Sequence, residues 1–185
     1  MYNLVFTRRY CMGHRLRHGE RKCSIPHGHN EYVRVTFAPD SLKAPLDGRA
    51  NVVTPFAAAK RRWHAWIDDH VDHALQLGAD DPLLAYFQDH EPGMLDRVMV
   101  CPGDPSTELL AACFMAKAQA FLDDEGMDLI CRQVEIEETP TNTVVFNGPA
   151  AAVLPARPEG AGRGTPWWWR ADASINDLES MTWNQ

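Results

Sequence analysis

HGHNEYVRVTFA, residues 27–38, is the stretch that decides the fold of this chain. From residue 32 onward its polar and apolar positions alternate through Tyr32, Val33, Arg34, Val35, Thr36 and Phe37. A period of two, carried by β-branched and aromatic residues, predicts a half-buried β-strand over residues 31–38. Residues 2–10 have a similar composition and predict another strand before it.

Two helix starts follow these strands. Thr54-Pro55 offers an N-cap side chain followed by proline at the first helical position. Apolar residues then recur at helical spacing, at Phe56, Ala59, Trp63, Trp66 and Ile67. Asp104-Pro105 repeats the start signal, and a second apolar stripe from Leu110 to Phe121 ends before Gly126.

Strand-like composition returns at residues 129–137 and 143–147. The resulting order is strand, strand, helix, helix, strand, strand (ββααββ). This order is typical of an α+β domain in which helices cover one face of an antiparallel sheet. We therefore expect a four-stranded antiparallel sheet with two helices on one face.

The composition limits the class of protein. Hydrophobic residues make up 45% of the 185 residues, which favours one ordinary globular domain, and no apolar run approaches the length of a membrane span. The N-terminus lacks a signal-peptide core, so we expect a cytoplasmic location. A net charge of −7 argues against a nucleic-acid partner. Five widely spaced cysteines without a C-x-x-C pair predict reduced thiols.

The C-terminal part has a different composition. Residues 1–147 contain all the predicted elements, whereas residues 148–185 begin with a Pro/Gly/Ala-rich linker and continue into Trp167-Trp168-Trp169. Three consecutive tryptophans offer a large apolar area, so we predict that this tail packs on the domain or on a neighbouring subunit.

Three histidines suggest a metal site. In extended chain, His27 and His29 share one face, and an antiparallel return brings His14, at the end of the first strand, close to them. Three imidazoles with an open fourth position are typical of catalytic zinc. The alternative is that all three are ordinary loop histidines.

Further residues could take part in chemistry beside such an ion. Cys23 lies four residues before His27 and is a candidate ligand, nucleophile or general base, or simply a packed thiol. Asp72-His73 is a candidate proton relay, although such a pair also arises by chance. The carboxylate of Glu138, at the end of a strand, could accept paired N–H donors or be solvated.

In order, these motifs resemble the family of 6-pyruvoyl- and 6-carboxytetrahydropterin synthases. The motifs that carry the resemblance are Gly13-His14-Arg15-Leu16, Cys23-x-x-x-His27-Gly28-His29-Asn30, Val71-Asp72-His73, Pro105-Ser106-Thr107-Glu108 and Glu138-Thr139. The three-residue gap between Cys23 and His27 is similar to the bacterial 6-carboxytetrahydropterin synthase branch, which serves 7-deazaguanine (queuosine-type) biosynthesis. Residues 74–104 form a longer segment than the resemblance leads us to expect.

The resemblance implies a fold and a set of roles. It implies the tunnelling fold, in which sheets of several subunits join into a barrel, as trimers or hexamers. It implies that His14, His27 and His29 bind Zn²⁺. Cys23 would be the general base and Asp72 with His73 the relay. Glu138 would anchor the pterin, with Thr107 and Glu108 near it.

The implied substrate is 7,8-dihydroneopterin triphosphate, converted by a zinc-dependent lyase. A loop beside the predicted metal carries five basic residues, which form either a polyanion-binding patch or a solvated loop: Arg15, Arg17, His18, Arg21 and Lys22. The alternatives are a 6-pyruvoyltetrahydropterin synthase, a paralogue acting on another pterin, and a pterin-binding protein without catalysis.

Overall fold

The computed structural model describes residues 2–40, 46, 48–156 and 164–178, and within these ranges it is an α+β structure. The strands are β1 Leu4–His14, β2 His27–Pro39, β3 Ala74–Gly78, β4 Val98–Cys101, β5 Leu129–Thr139 and β6 Asn142–Phe146. The α-helices are α1 Phe56–Trp66, α2 Pro82–His90 and α3 Thr107–Asp124. Among the described residues, no helix combines the length and the apolar character that crossing a bilayer requires.

The strands form one sheet in the order β4-β3-β1-β2-β5-β6. Four of them, β1, β2, β5 and β6, are antiparallel neighbours and correspond to the predicted strands. β3 instead runs parallel to both β1 and β4. The prediction of a four-stranded antiparallel sheet is therefore wrong: the sheet has six strands and is mixed.

The two additional strands come from the long segment 74–104. β3 has five residues and β4 has four, and apolar runs this short do not distinguish a strand from a helix or a buried loop. β3 pairs with β1 only over Met12–His14. The added strands thus extend the sheet beside the last residues of β1.

Helices α1 and α3 pack on one face of the sheet, as predicted. The ring of Phe114 in α3 lies 5.8 Å from Trp63, 5.3 Å from Trp66 and 6.2 Å from Tyr10 of β1. The third helix, α2, which the sequence analysis missed, covers the other face of β3 and β4. There it packs in a separate small cluster that contains Leu77, Leu84 and Val98.

Both predicted helix caps are displaced. Thr54 does not cap α1, whose N-cap residue is Pro55 without a side-chain hydrogen bond. In α3 the cap is Ser106, whose hydroxyl accepts from the amide of Leu109 at 3.4 Å. Asp104 instead accepts hydrogen bonds from backbone amides of the loop after β1, and so helps to fix the strand end that carries His14.

The segment 164–178 covers the outer edge of β4. The Trp167 indole donates to the Val100 carbonyl at 2.7 Å, and the Val100 amide donates to the Ile175 carbonyl at 3.1 Å. The side-chain Nδ2 of Asn176 donates to the carbonyl of Val98 at 2.8 Å. An edge strand otherwise presents unpaired backbone groups to any passing chain, and this segment occupies them.

The tryptophans of this segment enter the main core. Trp167 and Trp168 are buried, which confirms that the tail packs on the domain. Below them Lys117 of α3 is fully buried, and its ammonium donates to the Trp167 carbonyl at 3.0 Å. It also lies over the rings of Trp66 and Phe121. Residues 157–163 of the predicted linker and residues 179–185 of the tail lie outside the described ranges.

Candidate active site

The three predicted metal ligands meet at the end of the hairpin formed by β1 and β2. The register sets His14 opposite His27 and Met12 opposite His29. Because alternate residues of a strand share a face, all three imidazoles lie on the same side of the sheet. Their ring centroids are 4.6 Å (His14–His27), 5.2 Å (His14–His29) and 5.1 Å (His27–His29) apart.

Hydrogen bonds orient two of these rings. His14 Nδ1 donates to the Pro105 carbonyl at 3.1 Å, and His27 Nδ1 donates to the Ile25 carbonyl at 2.8 Å. Both Nε2 atoms are thereby left as lone-pair donors, and they lie 3.2 Å apart. Two nitrogens bound tetrahedrally to zinc at about 2.0–2.1 Å are separated by about 3.3 Å. The arrangement therefore fits a zinc ion.

The electrostatics of His14 favour the neutral ligand form. Burial lowers the pKa of His14. The hydrogen bond to the Pro105 carbonyl opposes this shift, the imidazoles of His27 and His29 add to it, and Glu138 has a minor raising effect. Metal binding requires an unprotonated imidazole, so a lowered pKa reduces competition by protons.

Gly28 permits the close packing between the histidine-bearing strands. A Cβ atom at this position would lie 2.4 Å from the carbonyl oxygen of Met12, which is far inside van der Waals contact. Any other residue between His27 and His29 would therefore push the two strands apart.

A pocket of about 660 Å³ opens over the three histidines. It is lined by the three histidines, the loop after β1, the start of α3 and the turn between β5 and β6. Its lining includes most of the predicted site residues: His14, His27, His29, Cys23, Thr107, Glu108 and Glu138.

Cys23 reaches this pocket from a tightly wound loop. Its amide donates to the Glu20 carbonyl at 2.8 Å, and its own carbonyl accepts from the amide of Leu16 at 2.7 Å. Its side chain is half-buried and faces the cavity beside the histidines. Burial raises the pKa of Cys101 and of Cys131 to about 12, so those two thiols stay protonated at neutral pH.

Glu138 and Thr107 form the opposite wall. Thr107 lies in the first turn of α3, and its hydroxyl donates to Glu138 Oε1 at 2.8 Å. This bond holds the carboxylate in place at the end of β5 and leaves Oε2 for a ligand. Glu108 lines the same pocket.

Asp72 and His73 do not line this pocket. They follow a π-helical turn, Ile67–Val71, and lie beside Cys11. Since Cys11 alternates with Tyr10 and Met12 along β1, the pair lies on the opposite side of the strand from the histidine cluster. The single chain therefore does not bring the predicted relay together with Cys23.

Within the pair, geometry fixes both side chains. Asp72 Oδ2 accepts from His73 Nδ1 at 2.9 Å, and Asp72 Oδ1 accepts from the Cys11 amide at 2.7 Å. Burial acts to raise the pKa of Asp72, but the hydrogen bonds from the Cys11 amide and the His73 ring outweigh it, so the pKa is lowered. His73 has a φ of 64°, a conformation that costs energy for a residue with a side chain.

Comparison with known proteins places these features in one family. Residues 3–149 match the family model described as 6-pyruvoyl tetrahydropterin synthase. The chain belongs to the 6-pyruvoyl tetrahydropterin synthase family. Since this match spans most of the chain, the sequence resemblance is confirmed.

Two curated relatives of this pterin synthase family member carry related names. A probable 6-carboxy-5,6,7,8-tetrahydropterin synthase of Halobacterium salinarum is 31% identical over 73% of this chain and 79% of its own length. The 6-carboxy-5,6,7,8-tetrahydropterin synthase of Bacillus subtilis is 30% identical over 67% of this chain and 69% of its own.

Solved structures support the same fold. An uncharacterized protein of Wolinella succinogenes superposes with a TM-score of 0.64 at 21% identity, covering 79% of this chain and 97% of its own. The 6-pyruvoyl tetrahydropterin synthase of Caenorhabditis elegans gives a TM-score of 0.53 at 20% identity, covering 80% of this chain and 95% of its own.

The face of β2 that carries His27 and His29 also carries a buried acid, Glu31, which the sequence analysis missed. Glu31 is fully buried, its Oε2 accepts a hydrogen bond from the Tyr10 hydroxyl, and no hydrogen-bond partner is found for its Oε1 among the described residues. Burial raises the pKa of Glu31 to about 7; the bond from Tyr10 opposes this shift, and the charge of Glu138 adds to it. The alternation of side chains along β2 could have indicated this residue, because residue 31 shares the face of His27 and His29.

The basic residues of the loop after β1 are largely paired with aspartates. Arg15 forms two hydrogen bonds with Asp81, and Arg17 lies 3.2 Å from the carboxylate of Asp80. His18 is 3.2 Å from Asp104. Three of the five basic residues therefore serve to fix the loop that carries Cys23, which reduces the positive charge available to a polyanion.

Proposed function

We propose that this chain is a zinc-dependent lyase that converts 7,8-dihydroneopterin triphosphate to 6-carboxy-5,6,7,8-tetrahydropterin, with release of acetaldehyde and triphosphate, in 7-deazaguanine (queuosine-type) biosynthesis. The observation that carries this proposal is one pocket in which three histidines, a thiol and a carboxylate face a common space. The names of the curated relatives support the choice of product.

His14, His27 and His29 would hold the ion. A zinc ion in this position supplies Lewis acidity toward the oxygens of the substrate side chain. The hydrogen bonds to the carbonyls of Pro105 and Ile25 keep the ligand nitrogens turned toward that space.

The remaining pocket residues would bind the pterin and move its protons. Glu138, oriented by Thr107, would accept two N–H donors from the pterin ring in a charge-assisted pair, with Glu108 beside it. This anchor would place the substrate side chain over the histidines. Cys23 would then remove a proton from the side chain as general base.

Asp72 and His73 would complete proton transfer across a subunit boundary. Asp72 and His73 face away from the pocket of their own chain. The Cys23 with which they would exchange a proton is therefore that of a neighbouring copy. In the described part of the chain, β3 pairs with β1 only over Met12–His14, which leaves residues 4–10 of β1 open along one edge. That edge and β6 would pair between copies to form a trimer or hexamer.

The chain would consist of two functionally different segments. We propose that residues 1–147 form the pterin synthase unit and that residues 148–185 are an extension that stabilises it. The contacts of Trp167 with Val100 and with Lys117 support this role of the extension.

Product analysis tests the proposal. Zinc-loaded full-length protein is incubated with 7,8-dihydroneopterin triphosphate, and the pterin products and acetaldehyde are identified by mass spectrometry. We expect 6-carboxytetrahydropterin with an equivalent of acetaldehyde. A 6-pyruvoyl product would instead assign the pyruvoyl-forming reaction, and tight pterin binding without turnover would contradict a catalytic function.

A further inference from the structure

Asp81, in the turn that joins β3 to α2, is bonded to the loop after β1. Arg15 Nε donates to Asp81 Oδ2 at 2.6 Å, and Arg15 Nη2 donates to Asp81 Oδ1. The side chain of Asp81 is 1% exposed and that of Arg15 is 18% exposed. Two parallel hydrogen bonds between a guanidinium and a carboxylate fix the orientation of the pair as well as its distance. The two segments are therefore held in one arrangement.

Asp81 is the more rigid member of this pair. It is the N-cap residue of α2, and its Oδ1 also accepts from the Leu83 amide at 2.8 Å. Its own amide donates to the carbonyl of Gly78, the last residue of β3, at 3.0 Å. Because strand and helix both hold Asp81 in place, its carboxylate can order the long side chain of Arg15.

The position of Cys23 depends on the residue next to Arg15. The amide of Leu16 donates to the Cys23 carbonyl at 2.7 Å. The amides of Cys23 and Ser24 both donate to the Glu20 carbonyl, at 2.8 and 3.1 Å, and thus close a turn within the loop. Among the described residues, no hydrogen bond is found that joins residues 20–24 directly to another element of the fold. Leu16 therefore places Cys23 relative to the histidines.

Leu16 lies between two anchors of the loop. Asp81 holds the residue before it. The carboxylate of Asp104 accepts from the amides of the next two residues, Arg17 and His18, at 3.0 and 2.7 Å. Removal of one anchor is thus expected to loosen the loop without unfolding it.

The Asp81 anchor comes from the segment 74–104, whose length the family resemblance does not lead us to expect. β3 runs parallel to β1 and pairs with it over Met12–His14, so both strands end on the same side of the sheet. The residues that follow them, Arg15 and the turn at Asp81, are brought together for this reason. The segment thus adds a support for the active-site loop as well as two strands.

We propose that Asp81 is a positioning residue of the candidate active site: through Arg15 it fixes the loop that places Cys23 beside the three histidines. Cys23 must reach a proton of the bound substrate, and a displacement of about 1 Å can lower the rate of such a step about 100-fold. This kinetic consequence rests on the proposed function, whereas the ordering of the loop does not. Arg15 is thereby assigned to Asp81 and not to the substrate.

Two substitutions separate this role from a substrate-binding role of Arg15. Asp81→Asn removes the charge that Arg15 requires, while asparagine still serves as an N-cap for α2. Arg15→Lys keeps the positive charge but cannot form the pair of parallel hydrogen bonds. In both variants we expect kcat for 7,8-dihydroneopterin triphosphate to fall about 10-fold with little change in KM. The zinc content should stay that of wild type.

Hydrogen–deuterium exchange of the zinc-loaded full-length protein, followed by mass spectrometry, measures the loop itself. Peptides that contain residues 16–24 should exchange about 10-fold faster in both variants, because their amide hydrogen bonds open more often. Leu122→Ala is the control. It truncates a buried side chain near the end of α3, about 22 Å along the helix from Thr107, and so lowers the melting temperature without contact with the loop. Exchange of the loop should stay at the wild-type rate in this control.

Unchanged exchange of residues 16–24 in both variants would overturn the proposal. An equal increase in Leu122→Ala would do the same, because it would ascribe the effect to stability alone. A lower KM in Asp81→Asn would show that Arg15, once released, binds the substrate, and would contradict its assignment to Asp81. If wild type turns over no pterin but loop exchange responds as expected, the proposed function fails while the ordering of the loop by Asp81 is confirmed.

Discussion

Thr107 Oγ1 donates a 2.8 Å hydrogen bond to Glu138 Oε1 and ties the first turn of α3 to the end of β5. The carboxylate is thereby held in a fixed orientation before any ligand arrives. A prearranged anchor of this kind contributes equally to binding the substrate and the transition state.

Replacing Glu138 should therefore affect pterin binding first. In Glu138→Gln a charged acceptor becomes neutral, and the loss of a charge-assisted pair is expected to raise KM about 10- to 100-fold, with a smaller change in kcat. Thr107→Val, which removes only the orienting bond, should raise KM about fivefold. Steady-state kinetics and pterin-binding titrations measure both. A large fall in kcat at unchanged KM would rule out the role of anchor.

The histidine cluster should hold one zinc ion per chain. His27→Ala/His29→Ala removes two of the three nitrogens, and the remaining ligand is too few for stable binding. After dialysis, metal analysis is expected to find about one zinc in wild type and in the control His73→Ala, and almost none in the double variant. Equal zinc content in all three proteins would contradict the assignment of His14, His27 and His29 as zinc ligands.

Cys23 should be required for turnover but not for folding. Loss of a general base lowers the rate typically 100-fold or more. Cys23→Ala is expected to show this loss while keeping its zinc, its pterin affinity and its melting temperature. Cys11→Ser is the matched control because it removes the other half-buried thiol of β1 and its loop. If Cys23→Ala turned over at the wild-type rate, the base would have to be sought elsewhere.

Trp167 should contribute strongly to stability. Its indole is completely buried and donates to the Val100 carbonyl of β4, so Trp167→Ala is expected to cost about 3–5 kcal/mol in urea unfolding. The neighbouring Trp169 is only half-buried, and Trp169→Ala should cost clearly less. Similar losses of unfolding free energy in the two variants would show that burial of the Trp167 ring is not what holds the C-terminal segment on the domain.

Lys117 predicts a pH dependence of stability. Burial lowers the pKa of Lys117 to about 8, which the charge of Asp172 only partly offsets, whereas an exposed lysine has a value of 10.5. Between these values the unfolded chain binds more protons than the folded chain, so stability rises with pH. The cost of burying the ammonium is fully present below pH 8 and disappears toward pH 10.5.

Comparison with Lys117→Met isolates this effect from other groups that titrate in the same range. The difference in unfolding free energy, wild type minus variant, should increase by about 1 kcal/mol from pH 7 to pH 9. Urea unfolding of both proteins at each pH provides the measurement. A difference independent of pH would mean that the pKa of Lys117 is unperturbed.

The sequence predicted that the three histidines come together because their placement depends on local chain geometry. His27 and His29 are two residues apart in a strand, and a single antiparallel turn brings His14 to them. The same periodicity could have indicated Glu31, whose burial went unnoticed because an acidic residue at a core position is rare. Strand parity was therefore sufficient for the histidines, whereas the roles of Cys23, Thr107, Glu108 and Glu138 came from the family resemblance.

The short strands β3 and β4 and the pairing of the basic loop depend on contacts between distant parts of the chain, which the local sequence pattern does not reveal. β3 and β4 are too short to have a recognisable period, and their parallel pairing joins segments far apart in the chain. Likewise, Arg15 and Asp81 are 66 positions apart, so the neutralisation of the basic loop could not be seen from composition. The separation of Asp72 from Cys23 became evident only from the structure, in which Asp72 lies beside Cys11 on the side of β1 opposite to His14.

The edge of β4 and the C-terminal segment that covers it depend on each other. The strand binds the segment around Trp167 and Ile175, and that segment has in turn no other strand to bind among the described residues. A chain with either part alone would carry an exposed sheet edge or an undocked aromatic segment. Val100 and Trp167 are 67 positions apart, so the outer edge of β4 is covered only after the C-terminal segment has been synthesised.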